Sequence, residues 1–174
     1  CAMAMMQQSL GFFFIDYYHF TPVDAAQQVG FAMMVSAATS LTVQFGWVQK
    51  GRISKETMIT LALPLLALAY LLLFLQHSLT ILYLAMALMG LGMGMAYPSL
   101  AAAATTFCAP GQQARITGLI TATTAMGYIV GPPFAAFIYQ INIAYPFAAA
   151  SLLLAVTACM TFITLRHVKQ STNN

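Results

Sequence analysis

Apolar residues run through this chain in long blocks without strand-like alternation, and short polar joins separate the blocks. A bilayer core takes roughly 20 mostly apolar residues of helix to cross. On that measure the pattern predicts spans at 1–19, 25–48, 57–76, 79–107, 114–138 and 143–165. An outer-membrane barrel would show segments of about ten alternating residues instead. The predicted class is an all-α integral membrane protein, a bundle of six transmembrane helices forming one unit over 1–174. The chain opens at Cys1, directly on an apolar block, without the charged start and cleavage site of a signal peptide. It is expected to be a piece of a longer protein.

Local signals sharpen several boundaries. Thr21-Pro22-Val23-Asp24 offers an N-cap hydroxyl, a proline at the first helical position and an acid in the first turn, so it opens span two. Ala109-Pro110-Gly111 ends span four, and Ser171-Thr172-Asn173-Asn174 is a polar tail. Tyr17, Tyr18 and His19 on one join, and Tyr139 and Tyr145 on another, are amphipathic rings of the kind that favour the headgroup layer.

Composition removes the competing classes. Charged residues make up 5% of the 174 positions, hydrophobic residues 61%, and the mean hydropathy is +0.83. A water-facing domain carries charge on roughly a quarter of its residues, and disorder needs a more polar chain still. The net charge of +3 comes from six dispersed cations, which is no basic patch for nucleic acid. Those cations alternate. Lys50, Arg52 and Lys55 lie between spans two and three, Arg115 between four and five, and Arg166 and Lys169 after six; the other joins hold none. The positive-inside rule places these joins and both chain ends in the cytoplasm, in a multi-pass protein of the cell (inner) membrane. With an odd number of cysteines, and Cys108 and Cys159 at an inner helix end and inside span six, free thiols are expected.

Small residues concentrate in two spans. Span five carries Gly118, Gly127, Gly131-Pro132 and Ala135-Ala136; span four carries Gly90, Gly92 and Gly94 before Tyr97-Pro98. Glycine lets helix backbones approach closely where lipid supplies no hydrophobic drive for association. A proline in mid-membrane frees a carbonyl and bends its helix. Packing seams explain such runs in many bundles, but two helices interrupted in succession point to moving parts.

The spacing Gly118-x8-Gly127-x3-Gly131-Pro132-x2-Ala135-Ala136 resembles the antiporter motif of the major facilitator superfamily, whose last two positions are normally glycines. With the Gly90–Pro98 run, the resemblance implies the C-terminal half of a twelve-helix fold, related to the drug:proton antiporter group. The superfamily's loop motif has only a shortened copy here, Gly46-Trp47-Val48-Gln49-Lys50-Gly51-Arg52, without its acid. By that resemblance the partners are the lipid bilayer, an N-terminal six-helix half, a small-molecule substrate and a proton or other coupling ion. The implied action is export of a small amphipathic organic compound such as a drug, siderophore or metabolite. Uptake by a relative of the same fold is the runner-up, and a non-transporting scaffold or pore subunit is the alternative of another class.

Polar groups inside a membrane are costly unless they face protein or a water-filled cavity. Gln7, Gln8, Tyr97 and Tyr128 are therefore candidates to line a substrate cavity, with Ser9 beside the glutamines, and the aromatic Phe12 on the same span is a candidate with them. Gly90, Gly92, Gly94, Pro98, Gly118, Gly127, Gly131 and Pro132 are the candidates for conformational packing. Asp16 is a proton-coupling candidate, although its place three residues before His19 fits an interfacial acid better. Gln44 reads as structural, and Met86, Met89 and Met93 as packing or lipid contact. No nucleophile elbow, phosphate loop or ligand-spaced histidine cluster occurs, so no enzyme, cofactor or metal is expected.

Overall fold

The computed structural model describes residues 1–48, 55–106 and 112–172, with side chains described except at 47, 48, 55, 56, 103–106 and 165–172. These residues form α1 (Ala2–Tyr18), α2 (Pro22–Val43), α3 (Lys55–Leu75), α4 (Leu79–Thr106), α5 (Gln113–Tyr139) and α6 (Tyr145–Thr172). A π-helical stretch over Gln44–Val48 prolongs α2, and no strand occurs among the described residues. Helix is the form that pairs every backbone group within its own segment, as an apolar medium requires. Lys50, Arg52 and the segment from Phe107 to Gly111, with Cys108, lie outside the described residues. Cys1 and Cys159 are free thiols.

The helix ends have local causes. α2 begins at Pro22, ahead of the expected 25, because Thr21 caps it: the Thr21 hydroxyl accepts from the Asp24 N–H at 3.2 Å and donates to the Asp24 carboxylate at 2.6 Å. α1 closes on His19, which sits in the left-handed region at φ 55°. α6 begins at Tyr145, after a turn in which Asn142 Oδ1 accepts from the Ala144 N–H at 2.9 Å. It continues past the expected 165 to Thr172, since hydropathy marks what lipid covers and not where a helix stops.

The interruption expected at the prolines is not a break in secondary structure. α4 runs unbroken through Pro98 and α5 through Pro132 and Pro133, as α3 does through Pro64. Each proline withdraws one backbone donor, a loss that neighbouring turns can carry. Four segments are long and apolar enough to cross a bilayer among the described residues: 22–46, 57–75, 79–102 and 145–164. α1, with 17 residues, and α5, whose threonines and paired prolines lower its hydropathy, fall outside that set. Thr117, Thr121, Thr123 and Thr124 each donate to the carbonyl one turn back, at 2.8 to 3.0 Å. Their hydroxyls are satisfied within the helix itself.

α3 lies between α4 and α6, α2 packs on α4, and α1 reaches α5, α6 and, more lightly, α2. The core they enclose holds Phe13, Phe14, Leu73, Leu82, Met86, Met89 and Phe147, all essentially inaccessible. Phe13 meets Phe147 edge-on, with ring centres 5.4 Å apart, joining α1 to α6. At one end of the bundle three tyrosine hydroxyls cross between helices. Tyr18 donates to Gln76 Oε1 at 2.6 Å, Tyr139 donates to Asp16 Oδ2 at 2.7 Å, and Tyr83 donates to Gln28 Oε1. Such bonds contribute on average about 0.6 kcal/mol each in membrane bundles. Gln76 is buried there, and its Nε2 has no hydrogen-bond partner.

Candidate functional site

Two cavities open on the side of the bundle formed by α1, α2, α4 and α5. Their walls follow from helical arithmetic. On α4, Met86, Met89, Met93 and Tyr97 recur three and four residues apart, which keeps them in one stripe. On α2 the same spacing aligns Met33, Ser36, Ala37, Ser40 and Gln44. With Met3 and Met6 of α1, these two stripes enclose a chamber of about 380 Å³. A neighbouring cavity of about 600 Å³ lies between α1, α4 and α5 and is lined in part by Thr123, Thr124 and Tyr128. Met3, Met93 and Tyr97 belong to both walls and divide one space from the other. None of the described residues lining either cavity carries a charged side chain.

Close helix contacts fix the width of this space. A Cβ built on Gly90 would collide with Ser36 O and Thr39 Oγ1, and one on Gly94 would lie 2.8 Å from Ser40 O. Ser36 and Ser40 are therefore held against α4 through the two glycines, four residues apart on one side of it. Gly92 faces the other way, where a Cβ would meet Leu66 Cγ at 2.6 Å, so α4 is pressed from both α2 and α3. On α5, Gly127, Gly131 and Ala135 are its buried residues, one helical turn apart. A Cβ on Gly131 would lie 2.9 Å from Ala4 Cβ, and one on Gly127 2.6 Å from the Cys1 nitrogen, so this seam rests on α1.

Gly118 does not join that seam. A Cβ there would meet nothing within 4 Å. The reason is geometric: at about 100° per residue, the step from Gly118 to Gly127 ends on the opposite side of the helix. Gly118 instead borders a third space, of about 490 Å³, beside Arg115. Pro98 and Pro132 are half-buried on α4 and α5, next to the two seams.

Of the residues expected to line a cavity, Tyr97 and Tyr128 come together in the 600 Å³ space, both largely exposed on the open side. Gln7, Gln8 and Phe12 are exposed and are not among the described residues lining these three spaces, whereas Met3 and Met6 of α1 line the chamber. Ser9 is buried in the bundle. Phe12 packs instead near Tyr139, with ring centres 6.2 Å apart. Asp16 lies one turn beyond it, exposed, held by the Tyr139 hydroxyl at the tyrosine-clasped end.

Gln44, expected to be structural, donates to Ser40 Oγ at 3.2 Å and also faces the chamber. Met86 and Met89 pack in the core and contribute to the chamber wall as well. Sequence reasoning missed Met3, Met6, Met33, Ser36, Ser40, Thr123 and Thr124. The available signal was the serine–serine–glutamine ladder at four-residue spacing on α2, set opposite a methionine ladder on α4. Among the described residues, no group of His, Cys, Asp and Glu is arranged to hold a metal ion.

No curated protein matches the chain. The model of the Major Facilitator Superfamily matches residues 1–174. An all-helical bundle with apolar crossing segments, close glycine contacts and an uncharged internal space agrees with that match, and the chain belongs to the Major Facilitator Superfamily, whose members are multi-pass membrane transporters of small molecules.

Proposed function

We propose that this chain is the C-terminal six-helix half of a twelve-helix secondary active transporter that exports a small amphipathic organic compound in exchange for protons. In this reading all six helices cross the inner membrane, both chain ends are cytoplasmic, and an N-terminal half closes the other side of the cavity. Two bundles rock about a midplane site, opening it to each face in turn.

The observation that carries the reading is the pair of backbone-close seams, Gly90 and Gly94 against α2 and Gly127 and Gly131 against α1, which border the uncharged cavities. Seams of small residues let helices shift against one another without side chains interlocking. The resemblance of the α5 pattern to an antiporter motif favours export over uptake. Asp16 is exposed at a helix end and held by Tyr139, which suits a rim residue better than a proton carrier. Proton coupling is accordingly assigned to the N-terminal half.

The test is transport by the full-length protein in proteoliposomes with an imposed pH gradient, assayed on a panel of amphipathic fluorescent compounds. Accumulation of at least one compound that collapses when the gradient is dissipated is expected. Movement indifferent to the gradient, or none across the panel while the protein is folded, would refute proton-coupled export.

A further inference from the structure

The chamber between α1, α2 and α4 has a composition that the transport reading does not require. Of the 11 described residues that line it, six are methionines: Met3, Met6, Met33, Met86, Met89 and Met93. They come from three helices, so the enrichment belongs to the space and not to one segment. Thioether side chains are unbranched, polarizable and adaptable, and make favourable contacts with aromatic rings. Apart from the Tyr97 hydroxyl on α4, the polar side chains described in this wall are on α2, where Ser36, Ser40 and Gln44 form one strip. The Ser36 hydroxyl has no hydrogen-bond partner among the described residues, whereas Ser40 is engaged by Gln44. The wall is thus two-sided, soft and mostly apolar on α1 and α4, with Tyr97 at its border, and hydrogen-bonding on α2, and its described residues supply no counter-charge for an ion.

Resting on the transport reading above, we infer that this chamber takes the aromatic portion of a neutral amphipathic compound, its rings against the methionines and a hydroxyl or carbonyl at Ser36. The volume of about 380 Å³ lies in the range of small-molecule pockets. A permanently cationic compound would leave its charge unpaired in this wall, so discrimination runs against cations here, whatever the other half of the cavity contributes. A soft metal ion, which thioethers can also bind, is the competing occupant.

The experiment uses the full-length protein in lipid nanodiscs, with empty nanodiscs as baseline, and three probes that share one ring system. 9-Anthracenemethanol is neutral and carries a hydroxyl, 9-(aminomethyl)anthracene is cationic at neutral pH, and 9-methylanthracene lacks a polar end. The alcohol is expected to bind at least about tenfold more tightly than the ammonium, as an uncompensated charge in an apolar site demands. Ala37→Trp, which places an indole in the chamber from an exposed α2 position, should weaken the alcohol by at least about tenfold, in line with filling a preformed pocket. Ala38→Trp, on the neighbouring exposed position outside the lining, should leave it unchanged. Ser36→Ala should weaken the alcohol about fivefold and spare 9-methylanthracene, the signature of one lost hydrogen bond.

Equal or tighter binding of the ammonium, indifference to both Ala37→Trp and Ser36→Ala, or displacement of the alcohol by one equivalent of silver(I) in a cysteine-free background would each overturn the inference. Binding in nanodiscs is independent of the gradient. Gradient-driven transport that ignores Ala37→Trp would sink the chamber and leave export standing, and chamber binding without gradient-driven transport would do the reverse.

Discussion

Gly131→Ala and Gly131→Leu probe the α1–α5 seam directly. A Cβ at Gly131 would lie 2.9 Å from Ala4 Cβ and 3.2 Å from the Cys1 carbonyl oxygen. Carbon pairs rest at about 3.5–4.0 Å, so the two helices must part by roughly 0.6–1 Å to admit a methyl. Overpacking of this kind costs about 1–3 kcal/mol. Alanine returns at most about 1 kcal/mol through its better helix propensity, which leaves Gly131→Ala destabilised by up to about 2 kcal/mol. Leucine adds three more carbons with no comparable return and should lie at or beyond the upper end of the overpacking range. Insertion should survive in both, because hydrophobicity rises.

The assay is the unfolding midpoint of the full-length protein in detergent, read by size exclusion after heating, together with transport in proteoliposomes. Gly131→Leu should lower the midpoint and reduce transport by more than about tenfold, since the seam can no longer close. Gly118→Ala is the internal control, because nothing lies within 4 Å of a Cβ there and only the propensity gain remains. Ala4→Gly should restore much of what Gly131→Ala loses, as it removes the atom in the way. Full transport with an unchanged midpoint in Gly131→Leu, or failure of Ala4→Gly to rescue, would refute the close-contact reasoning.

Gly90→Ala should be more damaging than Gly131→Ala, since a Cβ at Gly90 collides outright with the Ser36 carbonyl, whereas the Cys1 carbonyl stands 3.2 Å from one at Gly131; comparison of unfolding midpoints decides it. Single cysteines in a cysteine-free background at Ser54 and Ser171 should resist a membrane-impermeant thiol reagent in intact cells while one at Ser78 is labelled, and external labelling at Ser54 would invert the topology. Asp16→Asn should leave proton-driven transport largely intact, because an amide oxygen can still accept from Tyr139. Loss of substrate-induced proton release in that variant, with binding retained, would move the coupling site into this half.

The element order was legible in the sequence because lipid makes one strong demand: long apolar runs become helices, and a Thr-Pro-x-Asp start such as Thr21–Asp24 caps itself. Which way each helix faces was much less legible. In a water-soluble helix the polar side identifies the outside, but here apolar residues cover both sides of α3 and α4, so rotation is set by backbone proximity at Gly90, Gly92 and Gly94. Polarity singled out Gln7 and Gln8 on α1, while the residues that line the chamber from that helix are the apolar Met3 and Met6. Methionine carries little directional information, being at home in core, cavity and lipid alike. The π-helical stretch Gln44–Val48 has no sequence signature, and Gly118 shared a motif with Gly127 while lying half a turn out of phase with it.

The threonine ladder of α5 has a mechanical consequence. Thr117, Thr121, Thr123 and Thr124 spend their hydroxyls on their own helix, and the buried edge of α5 is glycine and alanine. The hydrogen bond described between α5 and its neighbours is at its far end, Tyr139 to Asp16. Such a helix behaves as a smooth bearing surface tethered at one extremity. Among the described residues, a shift of α5 would break one interhelical hydrogen bond, that of Tyr139 to Asp16, and would otherwise work against dispersion contacts.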